Sequence, residues 1–394
     1  MRRQAELIEE LGRKVSTLET TGQDTKSKSD DTTQQMGTPA RSSSGFSFGK
    51  IHLSGEGAVA FFHSQPQGEY PNAAFRVDEA KLFVEAPIIA DTYLFTEINL
   101  FSREAGSPNV RVGELYLDFE SLSRLWNQDR QLNLRAGRFD IPFGEEYLTR
   151  DAIDNPLISH SLMDLWGVDE GVELFGALGR LHYVVAIQNG GHEELNDFNS
   201  DKAVIARLGT DPAKWLHLSV SAMRTGKIDV EEDETTELWL GNGFVRSLGS
   251  AATTTFEANL LQGDVHLNFP RTTIKAAGGV LQYDDDDPAA NNRREVYHYY
   301  IEAVQNIYRD FYAAARWSQV FADDGFPIVG NGDIDKYFED VLTERLWMLS
   351  LGLGYRWNRH LVLKAEYSFA RGRELGGAAR EHEDQFALQA AFGF

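Results

Sequence analysis

From Phe46 to the end of the chain, apolar and polar residues alternate one by one in segment after segment. In KIHLSGEGAV, Lys50, His52, Ser54 and Glu56 share one face while Ile51, Leu53 and Val59 share the other. TYLFTEINL sets Leu94, Thr96, Ile98 and Leu100 against Tyr93, Phe95, Glu97 and Asn99, and GELYLDFE sets Leu115, Leu117 and Phe119 against Glu114, Tyr116, Asp118 and Glu120. WLHLSVSAM and HLVLKAEYSFA repeat the scheme, the second with Leu361, Leu363, Ala365, Tyr367 and Phe369 opposite Lys364, Glu366 and Ser368. A period of two is that of a strand with one greasy and one wet face. No stretch approaches the ~18 uninterrupted apolar residues of a membrane-crossing helix. With 42% hydrophobic residues at a mean hydropathy of −0.37, the apolar material is ample but spread out. Either a large soluble all-β protein or a membrane barrel spreads it this way.

Connections supply a second pattern. Short links fall near Ala90–Asp91, Ser121–Arg130, Gly179–Arg180, Thr210–Lys214, Pro270–Arg271, Arg309–Asp310 and Asn358–Arg359, and alternate with longer polar segments near 62–74, 102–110, 145–167, 190–201, 225–252, 284–294, 322–343 and 371–383. The segments so bounded number about sixteen, an even count with both termini on the short-turn side. A soluble sandwich does not need that asymmetry. Aromatics collect near segment ends, among them Tyr93, Trp215, Phe269, Tyr308, Phe311, Tyr355 and Trp357, as a girdle of rings at a membrane boundary would. The expected fold is all-β: a transmembrane antiparallel barrel over 46–394.

Ahead of it, Ile8, Leu11, Val15 and Leu18 are spaced by three and four, which predicts an amphipathic helix over 1–22, alone or as a small oligomerising coiled coil. Residues 23–45 read as a flexible linker. Residues 1–25 hold no apolar signal core, so an export signal is expected to have been removed or to precede this chain.

The absence of cysteine excludes a disulfide-stapled fold, a thiolate metal site and a cysteine nucleophile. A formal charge of −22, from 38 basic and 60 acidic residues, speaks against nucleic acid as a partner.

The chain ends EDQFALQAAFGF, with Phe386, Leu388, Ala390, Phe392 and Phe394 on one face. This resembles the terminal strand of bacterial outer-membrane barrels, which implies that Phe394 closes the signal read by the barrel assembly machinery. A second resemblance lies in LRAGRFDIPFGEEYLTRDAIDNPLISHSLMDLWGVDEGVELFG, residues 134–176, which looks like the phosphate-selective porin (O and P type) family. In outline the similarity covers 46–394. It implies a homotrimer of sixteen-stranded barrels among outer-membrane lipid and lipopolysaccharide, each narrowed by the loop after its fifth strand, here 145–167. Members selective for phosphate carry a ladder of basic residues along the lumen. Here the expected inward faces mix Lys50, Lys81, Arg135, Arg207, Lys275, Arg316 and Lys364 with Glu56, Glu79, Glu85, Glu97, Glu114, Asp118, Glu120, Glu302 and Glu366.

The expected function is passive diffusion of ions and small hydrophilic solutes across a bacterial outer membrane, with a mild cation preference and the amino-terminal segment in the periplasm. At the constriction, Glu145, Glu146, Arg150, Asp151, Asp154, His160 and Asp164 of the loop are expected to face Lys81, Arg135 and Arg138 of the wall. Opposed charges across a narrow aqueous gap orient dipolar solutes, or else they pin the loop to the wall. The acidic runs Glu231–Glu234 and Asp284–Asp287 and the GNGDID stretch at 330–335 read as solvated loops before cation sites, so no metal is expected. Enzyme signatures fail: HEELN at 192–196 lacks the second histidine of a zinc protease helix, and GNGFVR at 241–246 lacks the last glycine of a dinucleotide fingerprint. His160 with Ser159 or Ser161 is a weak hydrolase motif, and an envelope-tethering barrel is the other alternative; no catalysis and no cofactor are expected.

Overall fold

The computed structural model describes residues 46–48, 50–101, 110–190, 200–230, 239–240 and 243–394. The expected helix over 1–22 and linker over 23–45 lie outside the described residues, as do the EEDE run and HEELN. Sixteen strands form the wall: β1 (Ile51–Ser64), β2 (Ala74–Ile89), β3 (Thr92–Phe101), β4 (Arg111–Phe119), β5 (Asn133–Asp140), β6 (Val168–Leu178), β7 (Leu181–Gln188), β8 (Ala203–Ala213), β9 (Leu216–Arg224), β10 (Thr255–Asn268), β11 (Thr272–Asp285), β12 (Arg294–Tyr308), β13 (Phe311–Phe326), β14 (Thr343–Asn358), β15 (Leu361–Glu374) and β16 (Gln385–Gly393). Each pairs antiparallel with its sequence neighbour, and β1 pairs with β16 from Glu56↔Gly393 to Ser64↔Gln385, so the sheet has no edge. Closure leaves no strand without a neighbour on either side, which an open sheet in hydrocarbon could not do.

Short turns and long loops alternate as the sequence predicts. The strands run further than expected into several loops: β13 continues to Phe326, and β8 passes through Thr210 to Ala213, with a register shift where it meets β9. The connection after β5, the third on the long-loop side, spans 141–167.

Alternation sorts the two faces. Val59, Leu261, Ile301 and Leu353 are exposed on the outside, whereas Ala58, Ala60, Gln262 and Glu302 of the opposite parity are buried inside. At the short-turn end, exposed Trp215 stacks on Phe269 at 6.1 Å and Phe311 meets Tyr355 at a tilt at 4.4 Å, the expected girdle.

The interior departs from a uniformly wet one. Ile205, Met223, Leu260, Leu281, Val296, Val320 and Leu346, inward residues of β8–β14 toward the long-loop end, pack with Ile141, Phe143, Leu162, Met163, Phe326 and Ile328 of the loops into one apolar cluster. The same period-two pattern that points polar residues inward elsewhere points these aliphatics inward, because they have loops to pack against rather than water. Two glycines make room on the wall. A Cβ on Gly137, at φ 138°, would lie 2.3 Å from the Leu115 carbonyl oxygen, and one on Gly354 would lie 1.9 Å from the Tyr312 ring.

Candidate functional site

The 141–167 segment leaves β5 and runs along the inside of the wall, held by wall side chains from eight strands. Its first turn meets β8 and β9. Arg207 donates to the Gly144 carbonyl at 2.6 Å and to the Tyr147 hydroxyl at 3.0 Å, and the Gly144 amide donates to Ser221 Oγ. Glu145 accepts from His217 Nε2 at 2.8 Å and lies 3.4 Å from His266 Nε2. Lys275 of β11 donates to Thr149.

The middle of the segment crosses to the opposite wall. Asp151 pairs with Lys81 of β2, and the Ala152 amide donates to Glu79 at 2.7 Å. Lys364 of β15 donates to three carbonyls, those of Ala152, Asn155 and Leu157, the last two at 2.9 and 3.1 Å. Two residues on and therefore on the same face, Glu366 accepts from the amides of Ile158 and Ser159 and from the Ser159 hydroxyl. Arg316 of β13 donates to the Ser159 carbonyl at 2.7 Å and to Asn155, and pairs with Glu302 of β12. Lysine and arginine offer only donors and a carboxylate only acceptors, so a backbone with no sheet partner is satisfied from both sides.

The segment is also braced internally. Asn155 accepts from the Leu157 amide and donates to the Ser159 carbonyl, and Glu146 accepts from the Ser161 amide and hydroxyl at 2.8 and 2.6 Å. Asp164 pairs with Arg150 at 2.9 Å and His160 at 3.2 Å. Burial works to raise both carboxyls at the ends of this stretch. Against it, the His217 hydrogen bond with the His266 and Arg207 charges brings Glu145 down to about 2, and Arg150 with His160 holds Asp164 well below the carboxylate range. Burial, aided by Asp164, pushes Glu146 up.

Arg207, Arg316, Lys364 and Glu366, expected to face the lumen, make these contacts with the loop. All four are almost fully buried, and their charge is directed at loop backbone. Lys81, Asp151 and Asp118 keep partial exposure, and Asp154 is exposed. The expected lumen residues Glu79, Glu97, Glu114, Asp118, Lys275 and Glu302 share the inward parity. Arg135 pairs there with Asp118 at 3.0 Å and Glu173 at 3.4 Å, its guanidinium 4.2 Å from the Tyr116 ring centre. Arg138 does not join it. Three residues beyond Arg135 is an odd step, so the register sets it on the outward row beside Leu115 and Glu170, where it pairs with Glu170 at 2.8 Å and donates to the Gly113 carbonyl.

The pattern also hides residues that matter. His217 and His266 stand opposite each other across β9 and β10, and Lys275, Glu302 and Arg316 continue the same row across β11–β13. Lys275, Glu302 and Arg316 are expected on the inward face from sequence, whereas His217 and His266 show there only as polar letters of alternating strands. The row appears once the register is known.

The weak motifs have other partners in the structure. Ser159 and Ser161 donate to Glu366 and Glu146, and His160 Nε2 faces the Arg150 carbonyl at 3.2 Å while its Nδ1 lies 3.2 Å from Asp164. Asp285, Asp286 and Asp287 are engaged by Thr253, Thr254, Ser250 and nearby amides, and Asp333 by the Lys336 amide. Among the described residues no cluster of three ligating side chains is arranged for a metal.

No protein-family model matches the chain, and no curated protein does. Solved structures do. The outer membrane channel DcaP of Acinetobacter baumannii superposes with a TM-score of 0.59 at 12% identity, over 91% of this chain and 100% of that one. OmpT, an outer-membrane protein of Vibrio cholerae, gives 0.57 at 8% identity over 89% and 100%. An anion-selective porin from Comamonas acidovorans gives 0.54 at 9% identity over 87% and 99%. At such identities the likeness is one of fold.

Proposed function

We propose that the chain is a bacterial outer-membrane porin, a passive channel for ions and small hydrophilic solutes, narrowed by the 141–167 segment. One observation carries this reading: the connection over 141–167 lies inside a closed sixteen-stranded barrel and is held there by charged wall residues from both sides of the lumen. A barrel of this strand number is too wide for its own side chains to fill, so an inward segment sets the bore.

The channel prefers cations mildly. The wall's basic groups are largely engaged by the loop or by paired acids, whereas Asp154 of the loop is exposed. The phosphate-selective ladder of the resembled family is not reproduced here, so phosphate is not proposed as the solute. The protein acts as a homotrimer among outer-membrane lipid and lipopolysaccharide, with its short turns and amino-terminal segment in the periplasm and its terminal strand through Phe394 read during assembly. Reversal potentials across planar bilayers in a salt gradient test the function. Ohmic open-pore current with a modest cation shift is expected; a sealed barrel or a clear anion preference overturns it.

A further inference from the structure

The four short turns of β8–β15 repeat one arrangement. Lys214 precedes Trp215, Arg271 follows Phe269, Arg309 sits between Tyr308 and Phe311, and Arg359 follows Trp357, every one of these residues exposed. The cations are free of ion pairs in a chain of net charge −22: none of the four has a carboxylate partner among the described residues. Arg359 donates to His360, and the Arg309 guanidinium lies 5.0 Å from the Tyr308 ring centre. Of the acids nearby, Asp211 is engaged by His182 and His217, which leaves Asp310 as the acid at these turns.

We propose that this rim is a docking surface for anionic phospholipid headgroups, the four cations taking the phosphates while the rings seat at the boundary with the acyl chains. Two features point to lipid. The cations stand just beyond an apolar belt whose last residues are aromatic, the depth at which phosphates lie, and long basic side chains above a ring reach outward to that level. The opposite rim is of the other sign, with Asp286, Asp287, Asp333 and Asp335 in its loops, so the charge is set along the barrel axis. An attraction of this kind weakens as salt shortens the screening length.

The proposal rests on the barrel being embedded in a bilayer, though not on its conducting. The full-length protein is reconstituted in mixed phosphatidylglycerol and phosphatidylcholine bilayers, and spin-labelled forms of each lipid report the fraction immobilised at the protein surface. Phosphatidylglycerol is expected to be favoured by about twofold or more at low salt. The preference is lost at high salt and in the Lys214→Gln, Arg271→Gln, Arg309→Gln, Arg359→Gln variant, and survives in Arg293→Gln at the other rim. If the fourfold variant fails to fold, Arg271→Gln and Arg359→Gln singly must each lower it. Equal immobilisation of the two lipids by the parent, or a preference retained in the variant, overturns the proposal. Binding to purified peptidoglycan that the variant loses, with equal lipid immobilisation, assigns the rim to the cell wall and overturns it too. No immobilised lipid of either kind instead removes the membrane reading on which it stands.

Discussion

Lys364 holds Leu157 against the wall: the ammonium donates to that residue's carbonyl at 3.1 Å, and Glu366, two residues along the same strand, takes the amide that follows it in the chain. One wall strand thus grips both polar ends of a peptide group in the segment that sets the bore.

Replacing Lys364 by Met leaves three buried carbonyls short of a donor. The cost is about 1–3 kcal/mol for each group that water does not reach, and the loop loosens before the barrel does. Single-channel records are expected to show added flicker with unchanged heat-modifiable migration on gels; a quiet channel of parental conductance contradicts the assigned role.

Arg316 is paired with buried Glu302 and also holds the Ser159 carbonyl. Arg316→Met alone strands a buried carboxylate and is expected to destabilise by roughly 3–5 kcal/mol. Adding Glu302→Leu recovers only part, since the loop contact stays lost. Full recovery of thermal stability in the double variant would show that Ser159 gains nothing from Arg316.

Acid should release the first turn of the loop late. The Glu145 carboxyl is brought from the ordinary 4.5 to about 2, so its contribution is complete above 4.5 and is lost as pH falls through about 2. Melting curves of parent and Glu145→Gln are expected to differ by a constant amount from neutral pH down to 4.5 and to converge below it. A gap that stays constant down to pH 2 removes the clamp from the account.

Arg135 and Arg138 separate inside from outside. Arg135→Ala is expected to shift the reversal potential toward cations, because it frees Asp118 and Glu173 on the inward row, whereas Arg138→Ala leaves selectivity where it was. Equal shifts from both would mean that the register between β5 and β6 is misassigned.

The barrel was legible in sequence because dyad patterning and turn spacing are local, repeated signals. His217, Ser219 and Ser221, or Lys364, Glu366 and Ser368, could be assigned to the inner face by parity alone. Arg138 stands an odd three residues beyond Arg135, so parity itself sets the two on opposite faces, and the expectation that both face the lumen does not hold. The partners of Lys364 lie more than two hundred residues away, and no spacing rule reaches that far. The apolar inner patch around Leu281 and Leu346 was equally hidden: alternation predicts which face a residue takes, but not whether that face meets water or a loop.

The seam between β4 and β5 is joined by five residue pairs, from Leu115↔Arg138 to Phe119↔Leu134, fewer than any other junction of the described wall. Arg138 donating to the Gly113 carbonyl adds a side-chain rung just past the last of them. A hoop yields at its thinnest stave, so amides along this one junction set the rate at which the cylinder first parts, however well the remaining fifteen are bound.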